Sequence, residues 1–307
     1  TAGTDHANIP ELEALNIQFA SAPGCNANAV SEYVLAALLE IPGFVFRDKT
    51  VGVIGHGQVG TRVDHKLSQL GCRVLRNDPP KSDAGGCGPF VALDTLLAVS
   101  DVITLHVPLV ETGSYPTRGL LGAEEIAKMK KGVILINACR GEALDTSALI
   151  SARKSRTISN LILDVWDPEP DIPLELFAET DWGTPHIAGH SVEGKVNGTR
   201  QIREQLVDYF GLQAPEWDPE SLMPSPALET IPLKGVEGFE SRLRTAVKAC
   251  YDIGLDDRLL RTSDKPMAEL FVSLRRKYRN RREFSATKVL DLMEEEVEVY
   301  KALGFKV

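Results

Sequence analysis

The chain has 307 residues, 43% hydrophobic and 25% charged, with a formal net charge of −9. That length exceeds one ordinary core and implies two or three domains, and the acidic balance argues against nucleic acid or an anionic membrane surface as a partner. No apolar run approaches a membrane span, and the five cysteines are widely spaced with no CxxC, which argues against a disulfide framework or a zinc site and fits a reducing cytoplasm.

The opening Thr1-Ala2-Gly3-Thr4-Asp5-His6 reads as the end of a strand entering a turn. No charged and then apolar leader precedes Thr1, and Thr1 is not Met, so the expectation is a chain that has lost its beginning. Residues 28–40 place Val30, Tyr33, Val34, Ala37 and Leu38 at helical spacing. At 50–55 the short run Val51-Gly52-Val53-Ile54 suits a strand buried on both faces. A helix is expected over 63–70, stopped by Gly71, then a strand at 73–77 ended by Asp78-Pro79-Pro80. Further strands are expected at 101–106, 133–137 and 161–165, with a short helix at 124–130. Strands alternating with helices imply right-handed crossovers and an α/β fold with a Rossmann-type, doubly wound parallel sheet. A long helix at 191–210 follows, then a proline-marked linker (Pro215, Pro219, Pro224, Pro226) and a segment from about 231 to 307 with helical patterns at 239–253 and 289–303.

The loop Gly55-His56-Gly57-Gln58-Val59-Gly60 fits a dinucleotide site, because it has a strand before it and a helix after it. Gly55 allows the tight turn, Gly57 lets the backbone approach a pyrophosphate, and Gly60 lets helix and strand pack closely. Asp78 lies 18 positions after Gly60, at the end of the second strand. Its carboxylate would accept from ribose hydroxyls and repel the extra phosphate of NADP, so the expected cofactor is NAD, with nearby Arg76 the one contrary signal.

Three later residues can serve oxidation of an alcohol: Arg140 in Asn137-Ala138-Cys139-Arg140-Gly141, Glu169 in Asp164-Val165-Trp166-Asp167-Pro168-Glu169-Pro170, and His186 in Thr184-Pro185-His186-Ile187-Ala188-Gly189. A histidine can take the hydroxyl proton, a carboxylate can fix its tautomer, and an arginine can grip a substrate carboxylate with two bonds. Singly, each has a blander reading, as a surface ion pair, a solvated loop or a structural histidine. Arg140 and Glu169 each follow a strand, where such sheets place their sites, and the three together, in one order on a dinucleotide fold, are much more specific.

These stretches, with Gly24-Cys25-Asn26-Ala27-Asn28-Ala29-Val30-Ser31-Glu32, resemble the D-2-hydroxyacid dehydrogenase family over most of residues 1–210. The resemblance implies Arg140, Glu169 and His186 as catalytic residues. It implies Gly55, Gly57, Gln58, Val59, Gly60, Asp78, Val107, Ala138, Cys139, Arg140, Asp164 and Gly189 as contacts to NAD, and Thr1, Arg140 and His190 as contacts to substrate. A narrower resemblance extends through Leu274-Arg275-Arg276-Lys277-Tyr278 and Arg281-Arg282-Glu283-Phe284, to a branch of the family with an extra dimerisation domain. It implies a small phosphorylated 2-hydroxy acid as substrate and a homodimer. The implied division is residues 1–26 as the remnant of a flavodoxin-like substrate domain, 27–190 as the NAD domain, 191–225 as returning helix and linker, and 226–307 as an α+β dimerisation domain. Phosphoglycerate- or glycerate-type dehydrogenases and non-catalytic NAD-binding regulators are the alternatives within the family.

Two departures stand out. His190 occupies a position where this branch usually has a tyrosine, and Val107 replaces a usual threonine, which removes a hydroxyl beside the cofactor. The basic cluster at 275–282 is expected to be a solvated helix face, with reach of one or two arginines to a substrate phosphate across a dimer as the alternative. No metal site is expected.

Overall fold

A computed structural model of the chain describes residues 2–86 and 88–307. Six parallel strands form its main sheet: β1 (Thr50–Ile54), β2 (Arg73–Asn77), β3 (Val102–Leu105), β4 (Val133–Asn137), β5 (Ile158–Leu163) and β6 (Trp182–Gly183), in the order β2-β1-β3-β4-β5-β6. The chain order reverses between β1 and β3, and an open α/β sheet forms its binding crevice at such a point, beyond the carboxyl ends of the strands.

Alternation along each strand feeds two separate cores. Val51, Val53, Val102, Ile134, Ile136 and Ile162 face one, and Ile54, Ile103, Leu105, Val133, Leu135, Leu161 and Leu163 face the other. Helices Ala27–Glu40 and Gln58–Gln69 cover the first face, while Leu93–Val99, Ala123–Ala127, Thr146–Lys154 and Leu174–Glu179 cover the second. Both faces are therefore wound, and the central strands β1, β3 and β4 are almost wholly buried, while edge strand β2 keeps Arg73 exposed.

The C-terminal segment is joined closely to this body. Leu243, Ala246, Val247, Tyr251, Ile253, Tyr300, Leu303 and Phe305 bury in the first core, and Leu260, Leu270 and Phe271 in the second. At the sheet edge the Gly183 amide donates to Asp257 Oδ1 at 2.8 Å. Two short strands, β7 (Thr230–Pro232) and β8 (Lys288–Leu290), pair in parallel within this segment. Among the described residues no helix is long and apolar enough to cross a membrane.

Several sequence expectations shift. The helix after the glycine loop starts at Gln58 rather than 63, since the loop's own Gln58-Val59-Gly60 forms its first turn. The strand expected at 161–165 is Ile158–Leu163, where Val165 already belongs to the loop that leaves the sheet. The 239–253 pattern is two helices, Phe239–Cys250 and Ile253–Arg261, because the Asp252 side chain accepts from Leu255 N and caps a new start. The 289–303 pattern splits into β8 and helix Glu294–Leu303, with Asp291 between them at a φ of +60°. Residues 2–6 pair with no strand; Asp5 and His6 form a turn.

The basic cluster at 275–282 is not a solvated helix face. Its helix, Met267–Arg276, ends before most of it. Arg279 pairs with buried Asp256, Arg282 donates to Glu193, and Arg281 is 3% exposed, donating to the Ala188 and Ala29 carbonyls at 3.1 and 2.9 Å while its guanidinium stacks on Tyr251. Guanidinium groups buried this way need acceptors on several sides, and carbonyls and carboxylates supply them.

Candidate active site

A cleft of about 1420 Å³ opens beyond the carboxyl ends of β1, β3, β4 and β5. Residues from four loops meet there, each shaped by its own local chemistry.

The glycine loop forms the first wall. A Cβ on Gly60 would lie 2.0 Å from the Gly55 carbonyl oxygen, and one on Gly55 would lie 2.6 Å from the His106 carbonyl oxygen, so both positions require glycine for close packing. Around Gly57 nothing lies within 4 Å of that point, which leaves the start of the 12-residue helix Gln58–Gln69 open to the cleft. Unpaired amides at such an end favour a pyrophosphate. Asp78 accepts from His56 N at 2.9 Å and from Lys81 N at 3.2 Å, tying the end of β2 to the loop. Those contacts leave carboxylate lone pairs for ribose hydroxyls. Arg76 donates to Asp64 at 2.6 Å, so the one signal for NADP is occupied elsewhere. The wall fits NAD.

The second loop follows β4. Buried Asn137 accepts from Cys139 N and donates to the Arg140 carbonyl at 2.8 Å, folding the turn that presents Arg140. Arg140 is bound on one side by Asp5, with Nε and Nη2 donating at 3.0 and 2.6 Å. Its Nη1 donates to the Cys139 carbonyl. The guanidinium holds the Asp5 carboxyl below the usual carboxylate range. These contacts with Asp5 and Cys139 use three of the five N–H groups of the guanidinium.

Loops after β5 and β6 complete the site. Glu169 Oε1 accepts from Trp166 N at 3.0 Å, and Oε2 lies 2.8 Å from His186 Nδ1. His186 sits at φ +55°. Asp164 clamps that loop, accepting from Thr184 Oγ1, Ile187 N and Ala188 N at 2.6–2.8 Å. Its carboxylate therefore fastens the His186 segment, a task the sequence reading did not assign it.

His6, His106, His186 and His190 all line the cleft. Burial pushes His106 down to about 3, and His190 down to about 4. Among the described residues only His186 of these four hydrogen-bonds a carboxylate. That contact distinguishes it as a proton acceptor.

Of the sequence-derived site residues, Gly57, Gln58, Val59, Val107, Ala138, Cys139, Arg140, Asp164, Glu169, His186, Gly189 and His190 line this cleft. Gly55, Gly60 and Asp78 stand behind it and shape the loop. Thr1 lies outside the described residues. Asp5 and His106 also line the cleft and were not singled out from sequence; Arg275 lines it too, from the basic cluster whose reach to a substrate phosphate was the alternative expectation. Asp5 carried a signal, as the one acid in the opening motif; Arg275 was marked only as one of a cluster, and which of its arginines approaches the cleft depends on the packing of the C-terminal segment.

A family model described as the D-isomer specific 2-hydroxyacid dehydrogenase NAD binding domain matches residues 30–188, over half the chain. The chain belongs to the D-isomer specific 2-hydroxyacid dehydrogenase family. This dehydrogenase is an NAD-dependent oxidoreductase. It is 42% identical over 308 residues to the erythronate-4-phosphate dehydrogenase of Pectobacterium atrosepticum, covering 99% of this chain and 81% of that protein. The erythronate-4-phosphate dehydrogenase of Serratia proteamaculans is also 42% identical over 308 residues, covering 99% of this chain and 82% of its own length. Among solved structures, a D-lactate dehydrogenase from Aquifex aeolicus complexed with NAD and lactic acid matches with a TM-score of 0.55 at 28% identity, covering 69% of this chain and 73% of that one. A glyoxylate reductase from Paecilomyes thermophila matches with a TM-score of 0.57 at 25% identity, covering 72% and 74%. Residues 222–304 match a second family model, described as a domain of unknown function.

Proposed function

We propose that this dehydrogenase oxidises 4-phospho-D-erythronate to (R)-3-hydroxy-2-oxo-4-phosphooxybutanoate, a step of pyridoxal 5′-phosphate (vitamin B6) biosynthesis in the cytoplasm. The carrying observation is the His186–Glu169 pair at 2.8 Å in one cleft with Arg140. The names and 42% identity of the curated relatives support the substrate.

In this reading Glu169 accepts a hydrogen bond from His186 Nδ1–H, which leaves Nε2 to take the proton of the 2-hydroxyl. The same carboxylate favours the imidazolium that results. Arg140 grips the substrate carboxylate with its guanidinium. Bound NAD supplies the hydride acceptor. Asp78 and the amides at Gly57–Gln58 hold the adenosine ribose and pyrophosphate, and Val107, Ala138, Cys139, Asp164 and Gly189 line the rest of the cofactor's path. Residues 1–26 belong to the substrate domain, 27–190 to the NAD domain and 191–225 to the returning helix and linker. Residues 226–307 form the homodimer contact, a reading supported by exposed Leu228, Leu255, Leu259 and Met293.

A panel of D-4-phosphoerythronate, 3-phosphoglycerate and D-glycerate, followed by NADH absorbance, tests the substrate. The expected kcat/KM for the first exceeds that for glycerate by about a hundredfold or more, because a seat built for a polar group discriminates strongly against its absence. Equal or better turnover of glycerate would overturn the substrate assignment.

Asp5 is proposed to orient Arg140 for this grip. Asp5→Asn keeps the shape and removes the charge, loosening a two-bond pair. The expected result is a KM for the hydroxy acid raised about tenfold, since one charge-assisted bond contributes about 1.5–3 kcal/mol, with NADH affinity unchanged. A KM equal to that of the unaltered enzyme would show that Asp5 does not set the arginine.

A further inference from the structure

The C-terminal segment sends one cation into the cleft. Arg275, in the last turn of helix Met267–Arg276, lines the same cavity as His186, Arg140 and His190. Its neighbours in the cluster are committed elsewhere: Arg279 to Asp256, Arg281 to backbone carbonyls and Arg282 to Glu193. Arg276 and Lys277 are exposed to solvent. Arg275 is half-buried, its Nε is shielded from solvent without an acceptor, and its one ring contact is with Phe271. Among the described residues its guanidinium has no hydrogen-bond or ion-pair partner.

A second unsatisfied group lies on the same wall. His190 Nδ1 is buried without a partner, and the imidazole packs edge-on against Tyr278 at 5.6 Å between ring centres. At His190 burial is the main force against protonation; Asp164 opposes it, and the charge of Arg275 adds to it. The imidazole therefore stays neutral and can still donate one N–H.

Among the described residues no carboxylate of the cleft pairs with Arg275, Glu142 included, and the other three are engaged elsewhere. Asp5 is held by Arg140, Glu169 by His186 and Trp166 N, and Asp164 by three donors of the Thr184–Ala188 stretch. Shielded donors without acceptors are unfavourable in an empty pocket and favourable once an anion arrives. A guanidinium offers several donors in one plane, which matches a phosphate monoester better than it matches a hydroxyl.

We propose that Arg275 and His190 form the seat for the phosphate of the substrate, so that the C-terminal segment of the same chain sets the preference for a phosphorylated acid. This rests on the substrate reading given above. Arg140 then holds the carboxylate at one end of the substrate, and Arg275 the phosphate at the other. Exposed Lys195 lines the cleft too and adds positive charge near its mouth.

The test is to compare D-4-phosphoerythronate with D-erythronate in the unaltered enzyme and in Arg275→Met and Arg275→Lys. Methionine keeps the apolar stem and removes the charge. The expected result for Arg275→Met is a KM for the ester raised by about thirtyfold or more, while kcat/KM for D-erythronate stays within about twofold. Arg275→Lys recovers part of the loss, because a point charge replaces a fork. NADH binding, read by fluorescence titration, stays unchanged and shows that each variant is folded. An unaltered enzyme that uses both acids equally would overturn the substrate reading, and the seat with it. An unaltered enzyme that prefers the ester, together with an Arg275→Met variant that keeps the preference or loses both substrates alike, would overturn the seat alone.

Discussion

Replacing His186 with Asn is expected to lower kcat about a thousandfold or more and to leave NADH binding unchanged. Proton transfer by a positioned side chain contributes about 10²–10⁴ in rate, and the imidazole is the group proposed to take the hydroxyl proton. Asn is the informative replacement for a backbone reason. His186 sits at φ +55°, a left-handed conformation that asparagine tolerates and that most residues resist. The loop clamped by Asp164 therefore keeps its path, since Ile187 N, Ala188 N and Thr184 Oγ1 still find the same carboxylate. Stopped-flow hydride transfer and fluorescence titration with NADH separate chemistry from binding. Turnover within tenfold of the unaltered enzyme would remove His186 from the chemistry.

Replacing Gly141 with Ala is expected to reduce kcat/KM about a hundredfold although the residue bears no functional group. A Cβ there would stand 2.0 Å from the Trp166 carbonyl carbon and 2.1 Å from its oxygen. Both are backbone atoms, so neither can swing aside, and the loop after β4 must part from the loop after β5. Arg140 lies on the first loop, one residue before Gly141. Glu169 lies on the second and accepts from Trp166 N. Any separation moves the arginine relative to the Glu169–His186 pair, and about 1 Å of misplacement can cost about 10²-fold in rate. Trp166 belongs to the second core and Gly141 opens the short turn Gly141–Ala143, so circular dichroism and a thermal melt are measured beside activity, and the expected result is a folded enzyme whose activity falls. An active Gly141→Ala enzyme would mean that the two loops need not touch in the working state.

Much of the site was legible in the chain, and its reasons are local. The glycine loop is readable because steric exclusion at Gly55 and Gly60 acts between neighbours, and the loop carries its strand and helix on either side. Arg140 and Glu169 are readable because each follows a segment patterned as a strand within a few residues, whereas His186 is readable from its motif Thr184-Pro185-His186 alone. The cleft then gathers them for a topological reason, since parallel strands bring all their carboxyl ends to one side. Short amphipathic elements were less visible. Helices Leu93–Val99, Thr146–Lys154 and Leu174–Glu179 span two turns or so, too few repeats to declare a period. The two-residue strand Trp182–Gly183 exists through its pairing with β5 alone.

The glycine loop, the alternation of strands and helices, and the residue types able to bind NAD and move a proton were thus determined by the sequence by itself, through contacts a few positions apart. Tertiary structure decided the rest. It tied Asp5 to Arg140 across 135 positions, sent Asp164 to fasten the His186 loop, and buried Arg281 where composition suggested a solvated face. It also left Arg275 without a partner among the described residues of the cleft, while Arg279, Arg281 and Arg282 found partners. Whether a charge is paired, buried or free depends on which distant groups meet it. Spacing along a chain carries no information about that meeting until the two cores have closed.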